Sequence, residues 1–298
     1  MKTQLDKPRR VSPAHKNRLI QTPLKTLAAV ACVFGLSSVA HATVLVNDNF
    51  TNSTGSSVST VNNTESIGVG THNMINGSNA LSVVTPSFFG SSKALQMNVG
   101  SGNVDYRAFD GATTLTLNSL AVGESLTLSF DVGFNADPTA NLSFGFVNTT
   151  TPNSVIYVNE ALTASTSNYR FRSSSAFMSA GSGSAIGSNW TASDTAQSTS
   201  YHYELEVTKL TGGDFQLDYL VNSGLVNSQT VLASSTWVTT MGGVDITGVA
   251  FRNESAGSAS LFIDNISVIT VPEPSTWVLA ALGLTSVMVF RRRSRVNG

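Results

Sequence analysis

Cysteine is all but absent from this sequence: the one copy, Cys32, lies in an N-terminal apolar run, and none follows it. Disulfides and thiolate chemistry are therefore excluded from whatever remains once that run is removed. Charge is scarce as well, at 12% of residues, and it is placed unevenly. Met1 to Lys25 holds seven basic residues and one acidic, and four arginines stand near the C-terminus. The 228 residues from Thr43 to Thr270 carry six basic and sixteen acidic residues, a net charge of −10. The whole-chain value of −1 averages basic ends with an acidic body. A body with two lysines is a poor partner for nucleic acid and a better one for calcium or neutral glycans. His72 and His202 are its only histidines, and no Ser-His-Asp arrangement is assigned. It has no phosphate-binding glycine loop and no zinc-ligand spacing.

Runs of strong helix formers are missing too, which excludes a helical domain and leaves no crossover helices for a parallel α/β sheet. What is present is alternation. Leu126, Leu128, Phe130, Val132 and Phe134 fall on one face, with Thr127, Ser129 and Asp131 on the other, the pattern of a half-buried strand. The same period recurs at Leu142-Phe144-Phe146, Tyr201-Tyr203-Leu205-Val207, Phe215-Leu217-Tyr219-Val221 and Val244-Ile246. Asn135-Ala136-Asp137-Pro138 and Thr211-Gly212-Gly213-Asp214 supply turns, so Tyr201 to Val221 reads as a hairpin. The expected fold is all-β, an antiparallel sandwich or jelly roll formed by one domain over residues 43–270. The order of its pieces, with Ser125–Asp131 early and Ser260–Val268 last, resembles the concanavalin-like and laminin-G-like jelly rolls. Thr163 to Ser200 is polar and too long for an ordinary connection. It is either an elaborated loop over a binding face or a run of poorly paired edge strands.

Residues 1–42 have the form of a Sec signal peptide: a long basic region, the apolar run Thr26–Leu36, and a small-x-small site at Ala40-His41-Ala42. Export by the Sec translocon and cleavage by signal peptidase after Ala42 are the expectation. The apolar run begins too far after Arg9-Arg10 for a twin-arginine signal, and it continues through Cys32, which speaks against a lipoprotein signal.

Residues 271–298 have three parts: the extended segment around Pro272-Glu273-Pro274, an uncharged run from Trp277 to Phe290, and the basic cluster Arg291, Arg292, Arg293 and Arg295. The prolines enforce extended backbone, and Ser275 and Glu273 suit the positive end of a helix that follows. Ser275 to Phe290 spans about 24 Å as a helix against a hydrocarbon core of about 30 Å, short for a permanent span. The arginines fix its C-terminus on the cytoplasmic side, and their stems extend its reach. These residues resemble the PEP-CTERM proteins of Gram-negative bacteria. That resemblance implies recognition by an exosortase at Pro272, Glu273, Pro274 and Ser275, removal of the helix, and transfer toward the cell surface or exopolysaccharide matrix. The inner membrane is then a transient partner. The alternative is a permanent single-span anchor.

For the body, His202, Glu204 and Glu206 alternate along one strand face. Glu204-Leu205-Glu206-Val207-Thr208-Lys209 departs from the Glu-x-Asp-x-x-Glu pattern of retaining jelly-roll glucanases, with lysine at the last carboxylate position. A solvated polar face is the expectation there, and no catalytic residue is assigned. Alternation slips at Asp264, which suggests a bulge that re-aims its side chain. In related jelly rolls first and last strands lie together, which would bring Asp264 near Asp48 and allow a structural calcium. Trp190, Trp237 and Tyr169, the last with Phe171 beside Arg170 and Arg172, are candidates for stacking on sugar rings. The expected role is a structural or carbohydrate-binding module without enzymatic activity, with exopolysaccharide as its expected partner; the alternative is a glycan-active enzyme of lectin-like fold.

Overall fold

The computed structural model describes residues 42–272 apart from 51–55, 58–59, 63–70, 77–80, 91, 98–102, 111–112, 136–140, 152, 163–166, 176–177, 179–182, 193–198 and 254–259. Residues 1–41 of the expected signal peptide, Ala40 among them, and the sorting signal from Glu273 through Ser275 to Arg291, Arg292, Arg293 and Arg295 lie outside the described residues. Among the described residues no helix is long and apolar enough to cross a membrane.

The body is an antiparallel sandwich, as the alternation predicts. Sheet A contains β1 (Thr43–Asp48), β2 (Ser56–Ser57), β5 (Leu81–Val84), β6 (Ala94–Met97), β8 (Ser125–Phe134), β13 (Ser200–Lys209), β14 (Phe215–Val221), β15 (Gly224–Val231) and β17 (Leu261–Val271). Its order is β15-β14-β13-β8-β17-β6-β5-β2. β6 and β1 share one side of β17 end to end, β6 on Leu261–Ile263 and β1 on the residues from Ile266 to Thr270. Sheet B contains β3 (Thr60–Asn62), β4 (Thr71–Asn76), β7 (Asn103–Ala108), β9 (Asn141–Asn148), β10 (Asn153–Leu162), β11 (Ser167–Ser174), β12 (Ser184–Ala192) and β16 (Gly248–Asn253), in the order β12-β11-β10-β9-β16-β7-β4-β3. Residues 40–274 form one compact unit that contains the whole described core.

That core lies between the sheets. Leu126, Leu128, Phe130, Val132 and Phe134 of β8 all face inward and are buried. Phe130 meets Phe144 of β9 and Phe251 of β16 edge to face, with ring centroids 4.8 and 4.9 Å apart. Each such ring contributes about 1.5–3 kcal/mol by burial, and the edge-to-face geometry adds to it. The Tyr201–Val221 hairpin forms as β13 and β14 around a tight turn at Thr211–Gly213, with Gly212 at φ 87°. Of the two readings of Thr163 to Ser200, strands prevail: β11 and the edge strand β12 fall in it.

Val244-Ile246 is not a strand. Ile246 makes one isolated bridge with Leu115, and the residues before it form α1 (Thr236–Met241), whose N-terminus Ser235 caps by accepting the Val238 N–H at 3.2 Å. The apolar alternation at 244 and 246 comes from two side chains turned to the core at the end of a helix-to-strand connection.

Two buried charges join the sheets at one end. Arg107 of β7 in sheet B places its Nε 3.4 Å from Oδ2 of Asp48, the last residue of β1 in sheet A, and both side chains are fully buried. Register makes this inward placement necessary, because Arg107 lies opposite Val249 and Asp48 opposite Ile266, both core residues. Burial pulls the Arg107 guanidinium down from its ordinary value, while Asp48, Asp105 and Asp110 hold it up. Removing one partner strands a charge in the core. Arg107→Ala is therefore expected to cost about 3–5 kcal/mol in denaturant unfolding. The double variant Arg107→Met with Asp48→Leu is expected to lose less than the single one, and equal losses would contradict a coupled pair.

Candidate functional site

The outer face of sheet A carries a polar seam across three neighbouring strands. Asp131 of β8 lies opposite His202 of β13 on one side and Asp264 of β17 on the other. His202 Nδ1 is 2.7 Å from Asp131 Oδ1, and its Nε2 is 3.7 Å from Glu204 Oε1. Asn265 donates from Nδ2 to Asp131 Oδ2 at 2.7 Å. The expected bulge is present: the register slips between Asp264 and Ser267, and Asn265 takes a positive φ of 50°. It turns the Asn265 amide onto Asp131. Further along, Glu206 accepts from Thr208 Oγ1 at 3.2 Å, and Asp218 accepts from Gln216 and Ser228. The carboxylates of this face are engaged with neighbouring side chains along the strand surface.

First and last strands do pair, yet Asp48 and Asp264 have different partners. Asp48 turns inward to Arg107, whereas Asp264 sits in register with Asp131. Among the described residues no group of three His, Asp or Glu side chains is arranged to hold a metal ion. Asp264 is buried, and burial pushes its carboxyl up to about 7; the Asn265 N–H at 2.8 Å opposes that rise, and the charges of Asp131 and Asp48 reinforce it.

The aromatic candidates are corrected by the structure. Tyr169 is fully buried and Trp237 nearly so, with the Trp237 indole N–H donated to the Val155 carbonyl at 2.8 Å. Trp190 is half-buried and lies parallel to Tyr169, with ring centroids 5.9 Å apart, as its cross-strand partner between β11 and β12. Tyr169 and Trp237 belong to the core, and Trp190 packs against its edge with one face on Tyr169. The reason is visible in Tyr169-Arg170-Phe171-Arg172: period two sends one residue type in and the other out, and the aromatics take the core.

The arginines consequently stand on the outer face of sheet B. One row crosses it as Arg252 of β16, Ser143 of β9, Asn159 of β10 and Arg170 of β11, each opposite the next. Asn159 donates from Nδ2 to Ser143 Oγ at 2.9 Å within that row. The adjacent row runs Tyr106, Ala250, Gly145, Tyr157 and Arg172. Glycine is required at 145, since a Cβ there would stand 2.5 Å from the Tyr157 Cα and 2.8 Å from its Cβ. Val104, Val147, Tyr157, Met178 and Ala250 form a small apolar cluster on this face, with Tyr106 packed against it. The two acidic residues of these strands, Asp105 and Glu160, occupy the alternate register positions opposite Phe251 and Leu142. Sequence reasoning placed Arg170 and Arg172 only as neighbours of the aromatics and missed Tyr106, Tyr157 and Arg252. The outward members of the β11 alternation were the available signal; the row itself depends on register between distant strands.

Residues 270–293 match the model of the PEP-CTERM protein-sorting motif. The match begins inside β17, so the motif leaves directly from a central strand of sheet A. No curated protein matches the sequence. Among solved structures, the chain is similar to a Shewanella oneidensis MR-1 protein of unknown function, SO2946, at 13% identity, over 86% of this chain and 96% of that one, with a TM-score of 0.41. It is similar to the carbohydrate binding module CBM66 from Bacillus subtilis at 11% identity, over 65% and 92%, with a TM-score of 0.39. It is also similar to the alginate lyase Aly36B at 14% identity, over 59% and 80%, with a TM-score of 0.38.

Asp264 gives the body a pH-dependent stability. Its folded carboxyl titrates near 7 against an ordinary value of 3.8, so the native state binds more protons than the unfolded one between these values. Its contribution to stability is fully present below the ordinary value and declines as pH rises toward 7, by up to about 1.4 kcal/mol per pH unit. Asp264→Asn keeps an acceptor for the Asn265 N–H and removes the charge. Thermal unfolding of this variant is expected to show a higher Tm than the parent at pH 8 and a flatter slope between pH 4 and 7. Superimposable pH profiles would contradict the assignment.

Proposed function

We propose that this is an exported surface or matrix protein of a Gram-negative bacterium, processed at its C-terminus by an exosortase, whose sandwich body is a non-catalytic carbohydrate-binding module. The observation that carries the reading is the sorting-motif match at residues 270–293, adjoining the last strand. The match covers the Pro272-Glu273-Pro274 segment, the uncharged run and the first three arginines of the basic cluster. A helix of about 24 Å that ends in arginines holds the chain briefly in the inner membrane with the body on the outer side. β17 reaches Val271, so the sorting motif begins directly at the end of an inner strand of sheet A, and its prolines disfavour helix there. The catalytic groups for that step are the exosortase's.

Carbohydrate binding is supported by the composition and by the surface of sheet B. A body without cysteine, with polar strand faces and a row of arginine, asparagine and serine across one sheet, offers planar hydrogen-bonding groups suited to sugar hydroxyls and carboxylates. The glycosidase alternative needs two carboxyl groups facing one groove. Asp131 is held by His202 and Asn265, and Asp264 is buried beside it, which favours binding over hydrolysis.

Replacing Pro272, Glu273 and Pro274 together by alanine, with the hydrophobic run and arginines intact, isolates the motif from the anchor. The expected result is accumulation of the protein in the inner-membrane fraction and its disappearance from the surface or medium. An unchanged distribution would contradict processing at this motif.

A further inference from the structure

Among the described residues four large apolar side chains are exposed: Leu225 at 61%, Leu232 at 59%, Val122 at 48% and Val44 at 40%. Single residues of this kind are ordinary on a protein surface, so their placement is what informs. Strand register fixes that placement. At the end of β17, Val271 lies opposite Ser125, the first residue of β8, and Thr270 opposite Thr43, the first residue of β1. Thr208 also lies opposite Ser125; its neighbour Lys209 ends β13 opposite Phe215, the first residue of β14, which faces Val231 at the end of β15. Val44, Val122 and Leu232 therefore share one rim of sheet A with the end of β17: Val122 precedes β8 and Leu232 follows β15. Leu225 is at the opposite end, beside the Asn222-Ser223 turn. The chain around Val122 and Leu232 is described without a break over residues 113–135 and 199–253.

The turns at Val122, Thr211–Gly213 and Leu232 bring three charged side chains, all half-buried and all turned back on main chain. Glu124 accepts the Ala121 N–H at 2.8 Å, and Asp214 accepts the Ala233 N–H at 2.7 Å. The Lys209 ammonium donates to the carbonyls of Asn118 and Leu120 at 2.6 and 2.8 Å. Val122 and Leu232, by contrast, are exposed. The same rim is where the chain leaves for the uncharged run. Four residue steps take Val271 to Ser275, at most about 14 Å of extended chain against a headgroup layer of about 5–8 Å.

We propose that, before processing, the rim carrying Val44, Val122 and Leu232 rests on the outer surface of the phospholipid bilayer, with its apolar tips at the boundary between headgroups and acyl chains. This rests on the membrane-inserted C-terminal segment of the reading above and specifies which end of the body meets lipid. A tether so short holds the rim at the surface at high effective concentration, so apolar contacts too weak to recruit a free protein are enough to hold a tethered one. With one cation against two carboxylates in its turns, the rim has no electrostatic attraction to anionic headgroups, and a zwitterionic lipid surface suits it. Removal of the C-terminal segment ends the contact.

The test uses residues 43–298, which contain the whole described core and no cysteine, reconstituted into vesicles of phosphatidylcholine and phosphatidylethanolamine. Val122→Cys, Leu232→Cys and Leu225→Cys each supply one exposed thiol for an environment-sensitive dye, and a lipid spin-labelled at its headgroup serves as quencher. Leu225 and Leu232 are seven residues apart on β15, about 23 Å, so they report the two ends of one strand. Dyes at 122 and 232 are expected to shift to the blue and to be quenched, and the dye at 225 to emit as in water. Val122→Asp in the chain labelled at 232 is expected to lower that quenching, because it puts a charge among the apolar tips. Equal quenching at 225 and 232 would overturn the proposal, and so would quenching at 232 that Val122→Asp leaves unchanged, since the tether alone would then account for it. A chain that resists an alkaline carbonate wash while its dyes at 122 and 232 emit as in water would overturn the rim contact and leave the membrane segment standing. A chain that washes off would overturn both.

Discussion

The sandwich depends on its last strand. β17 lies between β8 on one side and β6 with β1 on the other, so sheet A has no continuous path across its middle until residues 261–271 are in place. Val271 pairs with Ser125 and Thr270 with Thr43, which brings the first and last strands of the sandwich side by side. A chain arranged this way finishes folding only when its C-terminal strand has emerged, and the sorting motif adjoins that strand. The Arg107–Asp48 contact depends on the same event, since β1 is held in sheet A by β17.

The two outer faces differ in charge, a property that composition conceals. Sheet A shows Asp131, Glu204, Glu206 and Asp218, with Glu206 directly opposite Asp218, and spends them on His202, Asn265, Thr208, Gln216 and Ser228. Sheet B shows Arg170, Arg172 and Arg252. An acidic total reads as an argument against anionic partners when charges are well mixed. Here alternation and register bring the arginines of β11 and β16 to one face of sheet B, so a net charge of −10 coexists with a local grouping of positive charge.

The sequence made the fold class legible because inward positions of long strands must be apolar, and β8, β13 and β14 obey that rule at almost every position. The bulge at Asp264 was legible for the same reason: alternation that slips by one residue needs an extra residue in the strand. What failed was the assignment of faces where both alternating residue types are large. In Tyr169-Arg170-Phe171-Arg172 either set can cover a surface, and only the opposing Trp190 and Tyr219 rings decide that the aromatics go in. The partners of Asp48 and Asp264 were hidden by distance along the chain. First-to-last strand pairing follows from the fold class, whereas the choice of Arg107 for Asp48 requires the stacking of sheet B on sheet A. Val244-Ile246 shows the opposite error, a period of two produced by two residues flanking a helix end.

The account stands on transit through the membrane with both ends removed, and the mass of the mature protein recovered from its native cells tests that most directly. The account predicts a chain that begins at Thr43 and ends near Pro272–Ser275, without the uncharged run or the arginines, whether or not a surface group is added at the new terminus. A mature protein that retains Trp277–Phe290 through Arg295 would contradict it and make the C-terminal segment a permanent anchor.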